Sequence, residues 1–273
     1  MLPSRLPRLK SAAEMTIKRS SWSIPYLIFL LIFVVLPLVL IAIYAFQDGE
    51  GGFTFANIAR FFTDADSLST FALSLEVAIE NTAICLLLGY PAAYILASKD
   101  LNRSAVTVIL FILPMWINAL MRTLATAELF NVFGVTLGKG TLLFGMAYDY
   151  LPFMIYPIYN TLQKMDNSLV EAAQDLGASR WQSFWKVIVP LSMPGVYSGI
   201  VMVFMPTVST FAIAELLTHN NIKLFGSLIQ DYITTTDLLN YGAVLSLVLL
   251  IIIGLTSFFG DHGGSGEEKG GVV

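Results

Sequence analysis

The sequence predicts an all-α polytopic membrane protein with six transmembrane helices, and three observations carry that reading. Of the 273 residues, 56% are hydrophobic and 12% charged, with a mean hydropathy of +0.74. A soluble domain carries about twice that charged share, and so short a chain has no interior able to hide the excess apolar surface. Second, six apolar runs approach or exceed the length a helix needs to cross a hydrocarbon core roughly 30 Å thick, about 20 residues. Third, Lys and Arg are concentrated in alternate loops. Uninterrupted apolar runs of helical length exclude a β-barrel.

The first run, 24–46, contains no charge. Pro25 fits the first turn of a helix, whereas Pro37 is expected to kink the helix or open it locally. Residues 47–70 turn polar, with Asp48, Glu50, Asp64 and Asp66. The second run, 71–97, contains Glu76, Glu80 and Pro91. A short polar link with Lys99, Asp100 and Arg103 precedes the third run, 104–121, whose helix is expected to extend past Arg122 and Glu128. The fourth, 142–162, is interrupted by Asp149, Pro152 and Pro157. A polar stretch, 163–190, leads to the fifth run, 191–216. The sixth, 241–259, is again free of charge, and the glycine-rich tail 260–273 is expected to carry no order.

Basic residues set the orientation. With the N-terminal segment 1–23 inside, eleven fall on the cytoplasmic side: Arg5, Arg8, Lys10, Lys18, Arg19, Lys99, Arg103, Lys164, Arg180, Lys186 and Lys269. Three fall outside, Arg60, Lys139 and Lys223, and Arg122 lies in or near a span. Both termini are therefore expected in the cytoplasm. The formal charge of -4 weighs against nucleic-acid binding, and the basic N-terminal stretch is a cytoplasmic anchor for the first run. Cys85 is alone and has no partner for a disulfide; His219 and His262 sit in polar segments. No metal-ligand cluster, nucleophile–base constellation or phosphate-cradling Gly-x-x-x-x-Gly-Lys-Ser/Thr run is present, so enzymatic activity within this chain is not expected.

The loop 163–190 is the informative part. Ser168 and Glu171 have capping-box spacing, and Leu169, Ala172, Ala173 and Leu176 make one apolar face ending at Gly177. Ser179 and Gln182 repeat the box, and Trp181, Phe184, Trp185 and Ile188 fall at i, i+3, i+4 and i+7. The pattern predicts two short helices joined by a glycine turn, the second stopped by Pro190. Packing on the protein's own spans accounts for part of so aromatic a surface, and a partner protein is the sharper reading. A DNA-reading helix-turn-helix has too few polar contacts, Arg180, Gln182 and Lys186, and would lie against a membrane.

Glu171, Ala172, Ala173 and Gly177, followed by Pro190, resemble the cytoplasmic signature loop of binding-protein-dependent ABC importer permeases. The run Pro114, Met115, Trp116, Ile117, Asn118, Ala119, Leu120, Met121 and Arg122 is similar to spermidine/putrescine permeases of the first-subunit type. So are Leu151, Pro152, Phe153 and Met154, with Pro157 and the linker Lys164, Met165 and Asp166. The acidic, glycine-rich end after 260 departs from the basic C-terminus expected in that subfamily. The resemblance implies a permease subunit in a bacterial inner membrane, with Glu171, Ala172, Ala173, Gly177, Trp181, Phe184 and Trp185 coupling it to a separate ABC ATPase dimer. It implies ATP and Mg held by that ATPase and no cofactor in this chain. The other implied partners are a second six-span permease subunit, an extracytoplasmic solute-binding protein and a small solute, with spermidine or putrescine foremost.

Carboxylates in or beside apolar runs are costly unless turned toward a cavity or a partner, which singles out Glu80, Glu128, Asp149 and Glu215. Trp116, Tyr148 and Tyr150 could add cation–π or hydrogen-bonding surfaces, or serve as interface anchors. Together these suit a flexible polyamine cation. Arg122 is expected to pair with an acid such as Glu128 or to face the pathway wall. A channel or ion-coupled carrier would explain the intramembrane charge and leave the aromatic loop unused. A non-transporting assembly subunit would explain the loop and not its signature.

Overall fold

The computed structural model describes residues 24–98, 105–234 and 238–264, the side chains of Ala105 and of 259–264 excepted. The N-terminal basic residues, Lys99, Asp100, Arg103, Asp237, Lys269 and the tail from 265 lie outside the described residues, as does the His262 side chain. Among the described residues the chain is helical, with one isolated bridge between Gln47 and Phe53.

Among the described residues, four helices are long and apolar enough to cross a membrane: Ile24–Ala45, Ala65–Ala97, Arg180–Ser209 and Leu239–Phe258. The last continues in helix to Gly264, into the start of the glycine-rich segment. The third run is not one straight span. A helix over Ala105–Ile112 tightens into a 3-10 turn at Leu113–Trp116, breaks, and resumes as Ala119–Val132 after a 91° bend. Pro114 removes a backbone donor there, Ile117 is extended, and the Asn118 side chain caps the new helix by accepting the N–H groups of Leu120 and Met121. This right-angled elbow within one apolar run was not expected.

The remaining long helix, Lys139–Lys164, has the length to span but is less apolar, carrying Asp149, Pro152 and Pro157. Its position explains why it need not be: it packs chiefly on Ala65–Ala97 and Arg180–Ser209. Six spans are compatible with this arrangement when the elbow is taken as one and the central helix as another.

Two prolines are accommodated by the same device. A π turn covers Leu31–Val35 ahead of Pro37, and another covers Phe184–Ile188 ahead of Pro190. A proline ring clashes with the carbonyl four residues back, here that of Phe33 or Lys186, and both lie within the wider turn. This local opening at Pro37 was expected. Pro190, however, does not stop its helix: Arg180 to Ser209 is continuous, because the π turn moves the clashing carbonyl aside. The fifth run instead breaks at Thr210, before a short helix, Ala212–Thr218.

Close helix approach depends on small residues. Gly195 and Gly199, four apart, face the central helix, where an added Cβ would lie 2.8 Å from the Pro157 carbonyl oxygen or 2.7 Å from Met154 Sδ. Around that seam Met154, Ile155, Ile158 and Leu162 meet Cys85, Ala93, Leu96, Ile188, Val196 and Val203 in one core cluster. Two further clusters close the opposite end, one around Phe61, Phe225 and Tyr241 and one around Leu142, Met146, Leu217 and Leu224. The Ile24–Ala45 helix lies outside, packed chiefly on the last helix and exposed over most of its length from Ile24 to Tyr44, as a surface solvated by lipid would be.

Candidate functional site

The loop after the central helix is held by local bonds. Asp166 Oδ1 accepts the Ser168 N–H at 2.9 Å, and that bond and the Ser168 hydroxyl hold the Asp166 carboxyl below the usual carboxylate range. The helix Ser168–Asp175 starts at Asn167 without a side-chain cap, so the expected Ser168–Glu171 capping box does not form. Asp166, two residues ahead, has taken the donor such a cap would otherwise engage at the helix start.

Gly177 has φ +89°, which favours glycine. The Ala178 N–H donates to the Ala173 carbonyl at 3.0 Å and the Gly177 N–H to that of Gln174 at 2.9 Å. This pair of bonds is a Schellman motif, and it satisfies carbonyls that the helix end leaves open. Two residues on, the second capping box forms as expected. Gln182 N–H donates to Ser179 Oγ at 3.2 Å, and Ser179 N–H to Gln182 Oε1 at 2.9 Å. Glu171 and Ala172 are exposed and Ala173 half-buried.

The aromatic residues divide into two groups. Leu176 is 90% exposed, Trp181 69% and Trp185 53%. Phe184 turns the other way and is half-buried against Tyr90 and Tyr94 of the Ala65–Ala97 helix, ring centroids 6.0 and 5.3 Å away and both edge-to-face. Ile188 is buried in the core below it. The expected single apolar face is therefore split: Trp181 and Trp185 remain available, and Phe184 and Ile188 anchor the loop.

The charged candidates also separate. Arg122 pairs with Asp149, not with Glu128: Nη2 lies 3.0 Å from Oδ1, and the two side chains are 6% and 1% exposed. By distance this is an ion pair, although Asp149 Oδ1 has no aligned hydrogen bond. The same Nη2 donates to the Asp149 carbonyl at 3.3 Å, Thr123 Oγ1 donates to Oδ2 at 2.7 Å, and the guanidinium sits 5.4 Å above the Tyr148 ring. Arg122 Nε and Nη1 are buried without partners. Asp149 thus ties the elbow to the central helix. Nothing in the spacing of Thr123 and Asp149 along the chain announced that contact.

At the end opposite the loop, Lys139 Nζ bridges Glu76 at 2.6 Å and Glu80 at 3.0 Å, all partly exposed. Glu128 and Glu215 are exposed, and their helices pack against each other. Trp116 is 86% exposed, Tyr148 is exposed beside Arg122, and Tyr150 is half-buried between two core clusters. The described residues hold no metal-ligating cluster of three or more His, Cys, Asp or Glu.

Residues 86–261 match the family of binding-protein-dependent transport system inner membrane components. The spermidine/putrescine transport system permease protein PotB of Salmonella typhimurium (strain SL1344) is 34% identical over 220 residues, 74% of this chain and 76% of that protein. PotB of Haemophilus influenzae is 30% identical over 251 residues, 84% of this chain and 88% of that protein. A solved bacterial ABC transporter involved in the import of the acidic polysaccharide alginate has a chain of similar fold. The TM-score is 0.67 at 20% identity, over 88% of this chain and 95% of that one.

Proposed function

The chain belongs to the binding-protein-dependent ABC importer permeases, and we propose that it imports polyamines, driven by a separate ATPase dimer docked on the 163–190 loop. It is a membrane permease subunit of an ABC importer, and the coupling is what the loop geometry supports. The carrying observation is that a Schellman turn and a capping box fix two short helical segments while Leu176, Trp181 and Trp185 stay exposed. Rigid, solvent-facing aromatic anchors are what a groove on a partner engages. In this reading ATP and Mg are bound by the ATPase, and its closure moves the docked loop so that the spans alternate between outward and inward openings. A second permease subunit supplies the other half of the pathway, and a solute-binding protein delivers from outside.

The family and the PotB relatives support placement in a bacterial inner membrane, and the segregation of Lys and Arg supports cytoplasmic termini. That puts the loop on the ATPase side and the Lys139, Glu76 and Glu80 cluster on the other.

Polyamine as the solute is supported by the two PotB relatives and by where the carboxylates lie. Asp149 is occupied by Arg122 and Thr123, so it acts in this reading as a strut and not as a ligand. Glu128 and Glu215 are the acids left exposed on the two packed helices, and a flexible polycation needs separated carboxylates of this kind. Trp116 offers a free aromatic face for an ammonium, whereas the Tyr148 ring already carries Arg122. The test is ATP-dependent uptake by the complex reconstituted in proteoliposomes with its binding protein. Spermidine or putrescine should be imported and each should compete with the other. Import of neutral or acidic solutes with no effect of either polyamine would leave the permease and remove the polyamine.

A further inference from the structure

We propose that Phe184 is a positioning residue which passes movement of the docked loop into the Ala65–Ala97 helix through a clasp made by Tyr90 and Tyr94. The proposal rests on the ATPase-coupling reading above and assigns to Phe184 a role distinct from docking.

Tyr90 and Tyr94 are four residues apart and so share one face of their helix. Both present their rings to Phe184 edge-to-face, at 84° and 81°. On its other side Phe184 touches both exposed tryptophans, 6.1 Å from Trp181 and 5.3 Å from Trp185 between ring centroids. Aromatic contact is therefore continuous from the exposed surface to the core. A polar bond closes the same clasp. Ser192 Oγ donates to the Val189 carbonyl at 2.8 Å, so its oxygen is left to accept, and the Tyr90 hydroxyl lies 2.9 Å away to donate.

The clasp sits where both helices are least regular. Pro91, between the two tyrosines, has no N–H for the Leu87 carbonyl. Phe184 opens the π turn that runs to Ile188, just ahead of Pro190. A load on the tryptophans thus reaches two long helices at points where each has lost a backbone restraint. A π turn within an α-helix is often found at such functional positions.

The measurement uses the complete complex in proteoliposomes: ATPase recovered with the tagged permease, ATP hydrolysis, and solute imported per ATP. Loss of two edge-to-face contacts in Phe184→Ala should lower import per ATP by about tenfold, with ATPase recovery and basal hydrolysis within about twofold of wild type. Phe184→Leu, which refills most of the volume, should restore much of the loss. Tyr90→Phe keeps the ring and removes the bond to Ser192, and should lower import per ATP by about fivefold. Trp181→Ala should instead lose the ATPase from the complex. The proposal is overturned if Phe184→Ala sheds the ATPase as Trp181→Ala does, or if Phe184→Ala and Tyr90→Phe both import normally per ATP. Should the alanine variant not assemble, Phe184→Leu and Tyr90→Phe decide, and normal import per ATP in both is the contrary result. Failure of the wild-type chain to retain any ATPase would strike the coupling reading itself, before these comparisons begin.

Discussion

Replacing Asp149 by Asn keeps the shape of the side chain and an oxygen for Thr123 while removing the charge opposite Arg122. The pair is 3.0 Å apart and 6% and 1% exposed. At an effective dielectric of about 20, unit charges at that distance attract by about 5 kcal/mol. Removing one partner of a buried pair costs about 3–5 kcal/mol in practice, because the remaining charge is left uncompensated. Arg122 is poorly placed to compensate, since Nε and Nη1 already lack partners. Asp149→Asn should therefore destabilise the folded chain by about 3–5 kcal/mol, and the charge-free double variant Arg122→Met, Asp149→Leu should recover most of it. Reversible unfolding of the purified chain in mixed micelles, arranged as a double-mutant cycle, measures both. If Asp149→Asn were neutral in stability yet abolished polyamine uptake, Asp149 would be a solute ligand and not a strut.

Other expectations follow from single residues. A Cβ at Gly177 meets nothing within 4 Å, so the constraint there is backbone alone. Gly177→Asn should then behave near wild type, while Gly177→Val costs about 2 kcal/mol or more and weakens ATPase recovery; equal recovery by both would contradict the left-handed turn as the determinant. Glu128→Gln and Glu215→Gln should each raise the polyamine concentration needed for half-maximal uptake with the ATPase still bound. Unchanged kinetics in both, and in Glu80→Gln, would remove the carboxylate pathway. In a Cys85→Ala background, a cysteine at 164 should be shielded from a membrane-impermeant reagent in sealed cells and one at 139 labelled. The reverse pattern overturns the orientation.

Much of this was legible in the amino-acid order, because it is local chemistry. Gly177 had to follow a helix end, Ser179 and Gln182 stand three apart, and Pro37 announces an opened turn; all three are as the short-range rules require. The misreadings arise where one local signal competes with another or with tertiary contact. Asp166 takes the Ser168 N–H that starts the first loop helix. A π turn carries the helix through Pro190, whose ring alone would argue for a stop. The charge on Arg122 was a sound signal for a buried acid, but Glu128, six residues away on the same helix, points elsewhere, and Asp149 reaches it only because the elbow folds back on the central helix. Phe184 shares its periodicity with Trp181 and Trp185, and periodicity cannot say which of them faces its own bundle. Tyr90 and Tyr94, at helical spacing in the second span, were the available signal for its partner.

Whether this loop couples the permease to an ATPase is decided by recovering the complex with three chains side by side: wild type, Trp181→Ala and the exposed control Gln174→Ala. Each is tagged, verified for membrane insertion, and assayed for bound ATPase and its stimulated hydrolysis. An anchor of this kind contributes about 2–4 kcal/mol when buried at an interface, so Trp181→Ala should lose most of the bound ATPase and its stimulation while Gln174→Ala matches wild type. Equal ATPase recovery and equal stimulation in all three would contradict the account.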